Sequence, residues 1–375
     1  MSVVALGTPS PPAPSAAERR DALASPVLDD RYGRVARDLR VSLTDRCNLR
    51  CTYCMPEEGL DWMAQDTMLS NDEVIRLIRI AVEELGIRHV RFTGGEPLLR
   101  RGLEDIIAAT HQLTTDLGQP VRTALTTNGL GLDKRASALA RVGLDRVNVS
   151  LDTIDRQRYA TLTRRDRLED VLAGIEAAVA AGLNPVKINA VVMPNTNEED
   201  IVPLAKYCLE HGLELRFIEQ MPLGPREQWR RDNMVTAEQI LERLGERFHL
   251  SPVVEPRGSA PAELWTAVAR DDGREQDTAR GQDSARLQGT IGVIASVTHS
   301  FCGACDRTRL TADGAVRTCL FARTETSLRQ ALRQGASDRE LADMWRVAMW
   351  GKLPGHGIDR PDFLQPQRLM SAIGG

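Results

Sequence analysis

Aromatic side chains are scarce, at 4% of the 375 residues, so the chain has little with which to build the stacking platforms of single-strand nucleic-acid binders. It also lacks a basic excess. Its 48 Lys and Arg stand against 52 Asp and Glu, for a formal net charge of −4, and any anion-binding patch must therefore be local. No run approaches the roughly 18 apolar residues of a membrane span. The seven cysteines are odd in number and clustered, unlike a secreted disulfide framework, and suit metal sites in a reducing compartment. The stretch Met1 to Ser15 carries Pro9, Pro11, Pro12 and Pro14 and no basic n-region. Neither a signal nor a transit peptide is expected, and the expected location is cytoplasmic.

What is present is a cysteine pattern. Cys47, Cys51 and Cys54 form C-x3-C-x2-C directly after the strand-like run Asp38–Leu43. Three thiolates are one short of a closed structural zinc site, and three on an iron–sulfur cubane leave one iron open to a small molecule. Cys302, Cys305 and Cys319 form a second set of three, in which zinc with His299 as fourth ligand and a second open cubane are both admissible. Cys208 lies alone in the helical run 204–209 and reads as a buried structural thiol.

From about Arg37 to Met221, short β-rich runs alternate with amphipathic helices. The strand candidates are Asp38–Leu43, His89–Phe92, Val121–Leu125, Arg146–Leu151, Val186–Val192 and Leu213–Phe217. The clearest helix starts at a Ser70/Glu73 capping box, continues through Val74, Leu77, Ile78, Ala81, Val82 and Leu85, and stops at Gly86. Six such units imply parallel strands with right-handed crossovers, and the apolar run at 188–192 suits a strand buried on both faces. The expected fold class is α/β: a partial (β/α)6 TIM-type barrel over 31–232. It is followed over 233–375 by a C-terminal α+β region carrying the second cysteine set. Residues 1–30 are expected to be a disordered extension and 270–288 a mobile surface loop. A helix is expected at 235–250, strands at Ile291–Val297 and Arg307–Thr311, and helices near 326–334 and 338–348. In such folds active sites lie at the C-terminal strand ends. There the chain places Thr93-Gly94-Gly95-Glu96-Pro97, Thr126-Thr127-Asn128-Gly129, Ser150, Asp152 and Met221.

The first triad, with Tyr53 before its last cysteine, resembles the signature of the radical S-adenosylmethionine (SAM) superfamily. In that superfamily the open iron of a 4Fe-4S cluster chelates SAM, and one electron releases a 5′-deoxyadenosyl radical. The resemblance makes Tyr53, Gly95, Ser150 and Met221 the SAM contacts; a lone strand-end Ser or Met is more commonly structural. Several elements in order resemble the GTP 3′,8-cyclase family of molybdenum-cofactor biosynthesis. They are Asp45-Arg46-Cys47-Asn48, Gly-Gly-Glu-Pro, Thr126–Gly129, Asn148–Asp152, Arg216–Glu219, the Cys302–Cys319 set with Arg307 and Arg309, and the Gly374-Gly375 end.

That resemblance implies two 4Fe-4S clusters, SAM, and GTP held between them with its guanine on the second open iron. Hydrogen abstraction from ribose C3′ and closure onto C8 would yield 3′,8-cyclo-7,8-dihydro-GTP. It further implies a cyclic pyranopterin monophosphate synthase as recipient of the product, an external electron donor and no nucleic-acid partner. Oligomeric state is left open, a homodimer included. A triphosphate brings about four negative charges, so a chain of net −4 needs a focused basic patch. The candidates are Arg40, Arg91, Thr126, Lys187, Arg307, Thr308 and Arg309, with Arg216 beside them. Arg307, Arg309, Gly374 and Gly375 are expected to act in catalysis, the diglycine tail threading where side chains cannot. His89 stands where some members carry lysine. A non-catalytic zinc module and a peptide-maturase type of radical SAM enzyme are the alternatives.

Overall fold

The computed structural model describes residues 14–225, 229–270, 287–358, 360 and 363–374. Twelve strands form one sheet. They are β1 (Asp38–Ser42), β2 (His89–Thr93), β3 (Arg122–Thr127), β4 (Arg146–Ser150), β5 (Val186–Val192), β6 (Glu214–Glu219), β7 (Phe248–Pro252), β8 (Glu263–Ala269), β9 (Gln288–Ile294), β10 (Arg307–Leu310), β11 (Ala315–Arg317) and β12 (Thr326–Ser327). Their spatial order is β12-β11-β10-β1-β2-β3-β4-β5-β6-β9-β8-β7. Strands β1 to β6 run parallel in chain order, as expected for a partial barrel. The C-terminal region then extends that barrel on both edges. β10 pairs parallel with β1, β9 pairs parallel with β6, and antiparallel strands finish each side.

Alternation along the strands explains the architecture. Leu39, Val41, Val90, Phe92, Leu125, Val147, Val149, Ile188, Ala190, Leu215 and Phe217 are buried against the helices. The intervening Arg40, Arg91, Thr126, Ser150, Asn189, Arg216, Arg307 and Arg309 face a lumen. A closed (β/α)8 barrel fills its interior with branched aliphatic residues; this one keeps a polar interior. The reading of 188–192 as apolar on both faces is corrected accordingly. β5 alternates, with Lys187, Asn189 and Val191 on the less buried face.

The helix at Asn71–Glu83 forms as its sequence requires. Ser70 and Glu73 close a reciprocal capping box, Val74, Leu77, Ile78, Ala81 and Val82 are buried, and Gly86 takes φ +72°. Cys208 is fully buried in the helix Ile201–Glu210. Other expectations change. Residues 16–30 are ordered: Ala16–Ala24 is a helix capped by Ser15 and Glu18, Ala22 and Leu28 are buried, and Asp29 bridges to Val35. A capping box and two apolar anchors outweigh the low-complexity composition. Residues 1–13 lie outside the described residues. The helix expected at 235–250 stops at Gly245, and β7 takes over at Phe248 because its residues pair with β8. Thr326–Ser327 is an edge strand on β11, and the helix starts only at Arg329. Strands β7, β8 and β11 are additional elements. Of the loop expected at 270–288, residues 271–286 lie outside the described residues. Its ends are joined by the Ala269 amide on the Leu287 carbonyl (2.9 Å) as part of the β8–β9 hairpin.

Candidate active site

The first cysteine loop is held to the strand ends by backbone. After β1 the Gly95 amide donates to the Thr44 carbonyl (2.7 Å) and the Glu96 amide to the Arg46 carbonyl (2.7 Å). This approach requires glycine. A Cβ on Gly95 would lie 2.3 Å from the Arg46 oxygen, and one on Gly94, at φ +147°, 2.4 Å from the Thr44 oxygen. The Asp45 carboxylate accepts from the Met63 amide (2.6 Å) and closes the far side of the loop. The Cys54 amide donates to the Cys51 carbonyl (2.9 Å), which forms a single tight turn, and all three cysteines face one cavity.

Two buried carboxylates brace the rim. Glu96 accepts from Thr127 Oγ1 (2.7 Å) and from the Leu98 (2.9 Å) and Asn128 (2.7 Å) amides. Burial pushes its carboxyl up to about 7, although these donors favour the charged form. Asp152 accepts from the Tyr53 hydroxyl (2.8 Å) and the Val191 amide (2.8 Å), and burial pushes it up to about 6. Asn128 donates to Asn48 (2.7 Å) and more distantly to Cys47 Sγ (3.7 Å). The β3, β4 and β5 strand ends thereby fix Tyr53 and the loop around it.

The second cysteine loop enters from the opposite side. Glu219, at the end of β6, is buried and accepts from the amides of Ala237 (2.8 Å), Val297 (2.8 Å) and Thr298 (2.9 Å) and from Thr298 Oγ1 (2.5 Å), which fixes the approach to Cys302. Cys302, Cys305 and Cys319 line the same cavity as the first triad. The thiols differ in surroundings. Burial pushes Cys54 up to about 12 and Cys51 well above the ordinary thiol value. At Cys305 burial also raises the thiol, but the charges of Lys352 and Arg307 outweigh it and the net shift is downward. Each loop contributes three cysteines to the cavity wall, the number of thiolates on an incompletely ligated cubane.

Between the triads lies a cavity of about 310 Å³, within the range of small-molecule sites. It is lined by Tyr53, Gly95, Ser150 and Met221 and by Arg40, Arg91, Thr126, Arg307 and Arg309, with Arg216 beside them. Burial, and next the charge of Arg91, pulls the Arg40 guanidinium down; burial, and next Arg40, does the same to Arg309. A guanidinium does not release its proton, so this strain is a demand for a neighbouring anion. Asp38 lies only at ion-pair range, 4.0 Å from Arg40 and 3.9 Å from Arg91. Glu214 stands 4.0 Å from Arg216, and the Nε atoms of Arg40, Arg91, Arg216 and Arg307 are buried without a hydrogen-bond partner. A larger depression of about 700 Å³, lined by His111, Arg141, Gly143 and Asp145, lies at the other end of the strands and holds no cysteine.

Two expected contacts do not reach the cavity. Thr308 is fully buried on the helix side of β10, where its hydroxyl accepts from Trp345 Nε1 (3.0 Å), because alternation turns it away from Arg307 and Arg309. Lys187 sits near the N-terminal end of β5 and pairs with Glu214. His89 is half-buried at the start of β2, beside Asp38 across the sheet. The tail does arrive: the Gly374 carbonyl accepts from Arg309 Nη1 (2.5 Å). Gly375 lies outside the described residues. Lys352, His356, Phe301 and Phe321 also surround the second triad but carry no motif of their own; the one local signal is a Lys and a His within the Pro/Gly-punctuated run 352–356.

The Asp152 environment has a pH signature. Its folded pKa is raised, so its contribution to stability is complete below pH about 4 and is lost as the pH rises through about 6. Asp152→Asn keeps an acceptor for Val191 and offers a donor to Tyr53 without a charge to bury. Relative to the parent, Asp152→Asn should gain on the order of 2–3 kcal/mol between pH 4 and 7, read as a widening gap in unfolding midpoints. A gap independent of pH would show that the carboxyl is not held up by burial.

A family model described as the radical SAM superfamily matches residues 41–208, and one described as Molybdenum Cofactor Synthesis C matches 213–358. A GTP 3′,8-cyclase of Corynebacterium glutamicum is 66% identical over 366 residues, covering 96% of this chain and 94% of its own. One from Mycolicibacterium smegmatis is 56% identical over 378 residues, covering all of both chains. Among solved structures, Streptococcus suis SuiB bound to precursor peptide SuiA superposes with a TM-score of 0.58 at 15% identity, over 89% of this chain and 68% of that one; this likeness concerns the fold alone. The chain belongs to the GTP 3′,8-cyclase family of the radical SAM superfamily.

Proposed function

We propose that the chain is a lyase that cyclises GTP to (8S)-3′,8-cyclo-7,8-dihydroguanosine 5′-triphosphate, the first step of molybdenum-cofactor biosynthesis. One observation carries the reading: two three-cysteine loops open onto a single cavity whose walls hold buried, anion-seeking guanidinium groups. The 4Fe-4S cluster held by Cys47, Cys51 and Cys54 with SAM supplies, when bound, a 5′-deoxyadenosyl radical. Tyr53, Gly95, Ser150 and Met221 bind SAM. Arg40, Arg91, Arg307 and Arg309, with the hydroxyl of Thr126, bind and orient the triphosphate and ribose. Cys302, Cys305 and Cys319 would hold the second cluster, whose open iron would offer a ligand position to the guanine end of the nucleotide. The clustered arginines, whose carboxylate neighbours Asp38 and Glu214 stand at 3.9–4.0 Å, favour a polyanionic nucleotide over a peptide substrate.

The finer assignments belong to the same proposal. Residues 31–232 hold the radical-generating part and 233–375 the second cluster and the nucleotide. Gly374, Gly375, Arg307 and Arg309 are assigned catalytic roles, and the Gly374 carbonyl on Arg309 supports the assignment. An external donor supplies the electrons, the product passes to a cyclic pyranopterin monophosphate synthase, and the chain works in the cytoplasm, as a monomer or a homodimer. No helix among the described residues is long and apolar enough to cross a membrane.

The direct test is anaerobic incubation with reductant, SAM and GTP deuterated at ribose C3′, followed by mass spectrometry. Deuterium is expected in 5′-deoxyadenosine, together with a cyclised nucleotide; 5′-deoxyadenosine free of label would refute the assignment. The tail gives a second test. Gly374 takes φ +82°, and a Cβ there would lie 2.6 Å from Thr93 Cγ2. Gly374→Ala should therefore displace the tail and lower cyclisation on the order of 10²-fold, the scale of a misplacement near 1 Å, with iron content unchanged. Full activity would exclude a role for the docked tail.

A further inference from the structure

Two buried cations grip the second cysteine loop. Lys352, 3% exposed, donates to the Cys305 carbonyl (3.0 Å), the Arg307 carbonyl (2.9 Å) and Cys305 Sγ (3.5 Å). An ammonium has three N–H donors, and these three acceptors use them all. Arg34 donates to the carbonyls of Cys302 (2.8 Å), Pro354 (2.9 Å) and Leu353 (2.7 Å), and its Nε is held by Asp30 (2.6 Å). The Arg34 charge thus has a carboxylate partner. The acceptors of Lys352 are two neutral carbonyls and a sulfur.

The first loop also has a guanidinium on its backbone, Arg50 donating to the Cys47 (2.8 Å) and Leu49 (2.9 Å) carbonyls, but it differs at the sulfur. Cys47 Sγ receives the Leu49 amide (3.5 Å) and the Asn128 side-chain amide (3.7 Å), both neutral donors. Cys305 Sγ receives the Lys352 ammonium and, at 3.9 Å, Arg307 Nη1. Hydrogen bonds and charge at the ligating sulfurs are among the factors that set iron–sulfur potentials. A cationic donor stabilises the reduced cluster, which carries one more negative charge, and so raises its potential.

We propose that Lys352 is a positioning residue that raises the reduction potential of the second cluster above that of the first. The proposal rests on the reading of Cys302, Cys305 and Cys319 as ligands of that cluster. The asymmetry has a use: cleaving a sulfonium calls for an electron at the low end of the iron–sulfur range. A second cluster poised higher would serve to hold substrate without competing as the stronger reductant.

The test is an anaerobic, EPR-monitored redox titration of the full chain and of Lys352→Met, Lys352→Gln and Lys352→Arg, each with its iron counted. The second cluster's signal is the one that survives in a Cys51→Ser chain and is lost in Cys305→Ser. In Lys352→Met it should titrate at a more negative potential, while Lys352→Arg, which keeps a cationic donor, should stay near the parent. If Lys352→Met loses iron, Lys352→Gln decides, since it keeps N–H donors for the carbonyls but no charge. An unmoved potential in the loaded neutral variant, or an equal shift in Lys352→Arg, would overturn the assignment. Absence of any signal surviving Cys51→Ser would instead refute the second cluster, and the proposal with it.

Discussion

Crowding five guanidinium groups around one lumen, Arg307 and Arg309 buried and Arg40, Arg91 and Arg216 half-buried, is the constraint on which the structure depends. Arg40, Arg91, Arg216, Arg307 and Arg309 line the cavity; Asp38 reaches Arg40 and Arg91 only at 4.0 and 3.9 Å, and Glu214 reaches Arg216 only at 4.0 Å. Each buried charge costs several kcal/mol even after relaxation. A fold tolerates that cost where a ligand of opposite charge repays it. The apolar faces of the same strands, packed against helices through residues such as Val41, Phe92, Ile188 and Phe217, supply the rigidity that keeps these arginines in place.

The geometry at the rim follows from close backbone contact. Gly94 and Gly95 let β2's exit lie against Thr44, Asp45 and Arg46, so the first cysteine loop is held by amide–carbonyl bonds whose position side chains do not blur. Glu96 and Asp152 then tie that loop to β3, β4 and β5. The second loop is set by Glu219, Lys352 and Arg34, three buried charged groups drawn from distant parts of the chain. Both loops carry a guanidinium on backbone carbonyls, Arg50 on Cys47 and Leu49 in the first and Arg34 on Cys302 in the second, and both are braced by buried carboxylates; the second adds a cation at a cysteine sulfur, Lys352 on Cys305.

Much of this was legible before the fold was known. Cysteine spacing marked both loops, and period-two alternation placed Arg307 and Arg309 on one face. The same alternation sets Thr308 on the other face, so its inclusion as a contact ran against the pattern and fails on geometry. The capping box at Ser70 and the stop at Gly86 were local signals, and local structure obeyed them. What stayed hidden depended on contacts distant in sequence. Nothing near Lys352 announces that its ammonium meets Cys305, 47 residues away. Nor does anything near β9 and β10 announce that they close onto β6 and β1 to lengthen the barrel. The helix at 16–24 was masked by a proline-rich neighbour, although its own capping box was present.

The central claim is that the second cysteine triad faces the nucleotide across the chamber that the first triad also enters. Pulsed EPR on the reduced second cluster, with GTP of natural isotope content and with GTP carrying 15N in its guanine, tests this most directly. The account predicts a nitrogen hyperfine coupling that changes with the isotope. GTP bound in the cavity with no guanine nitrogen coupled to that cluster would contradict it.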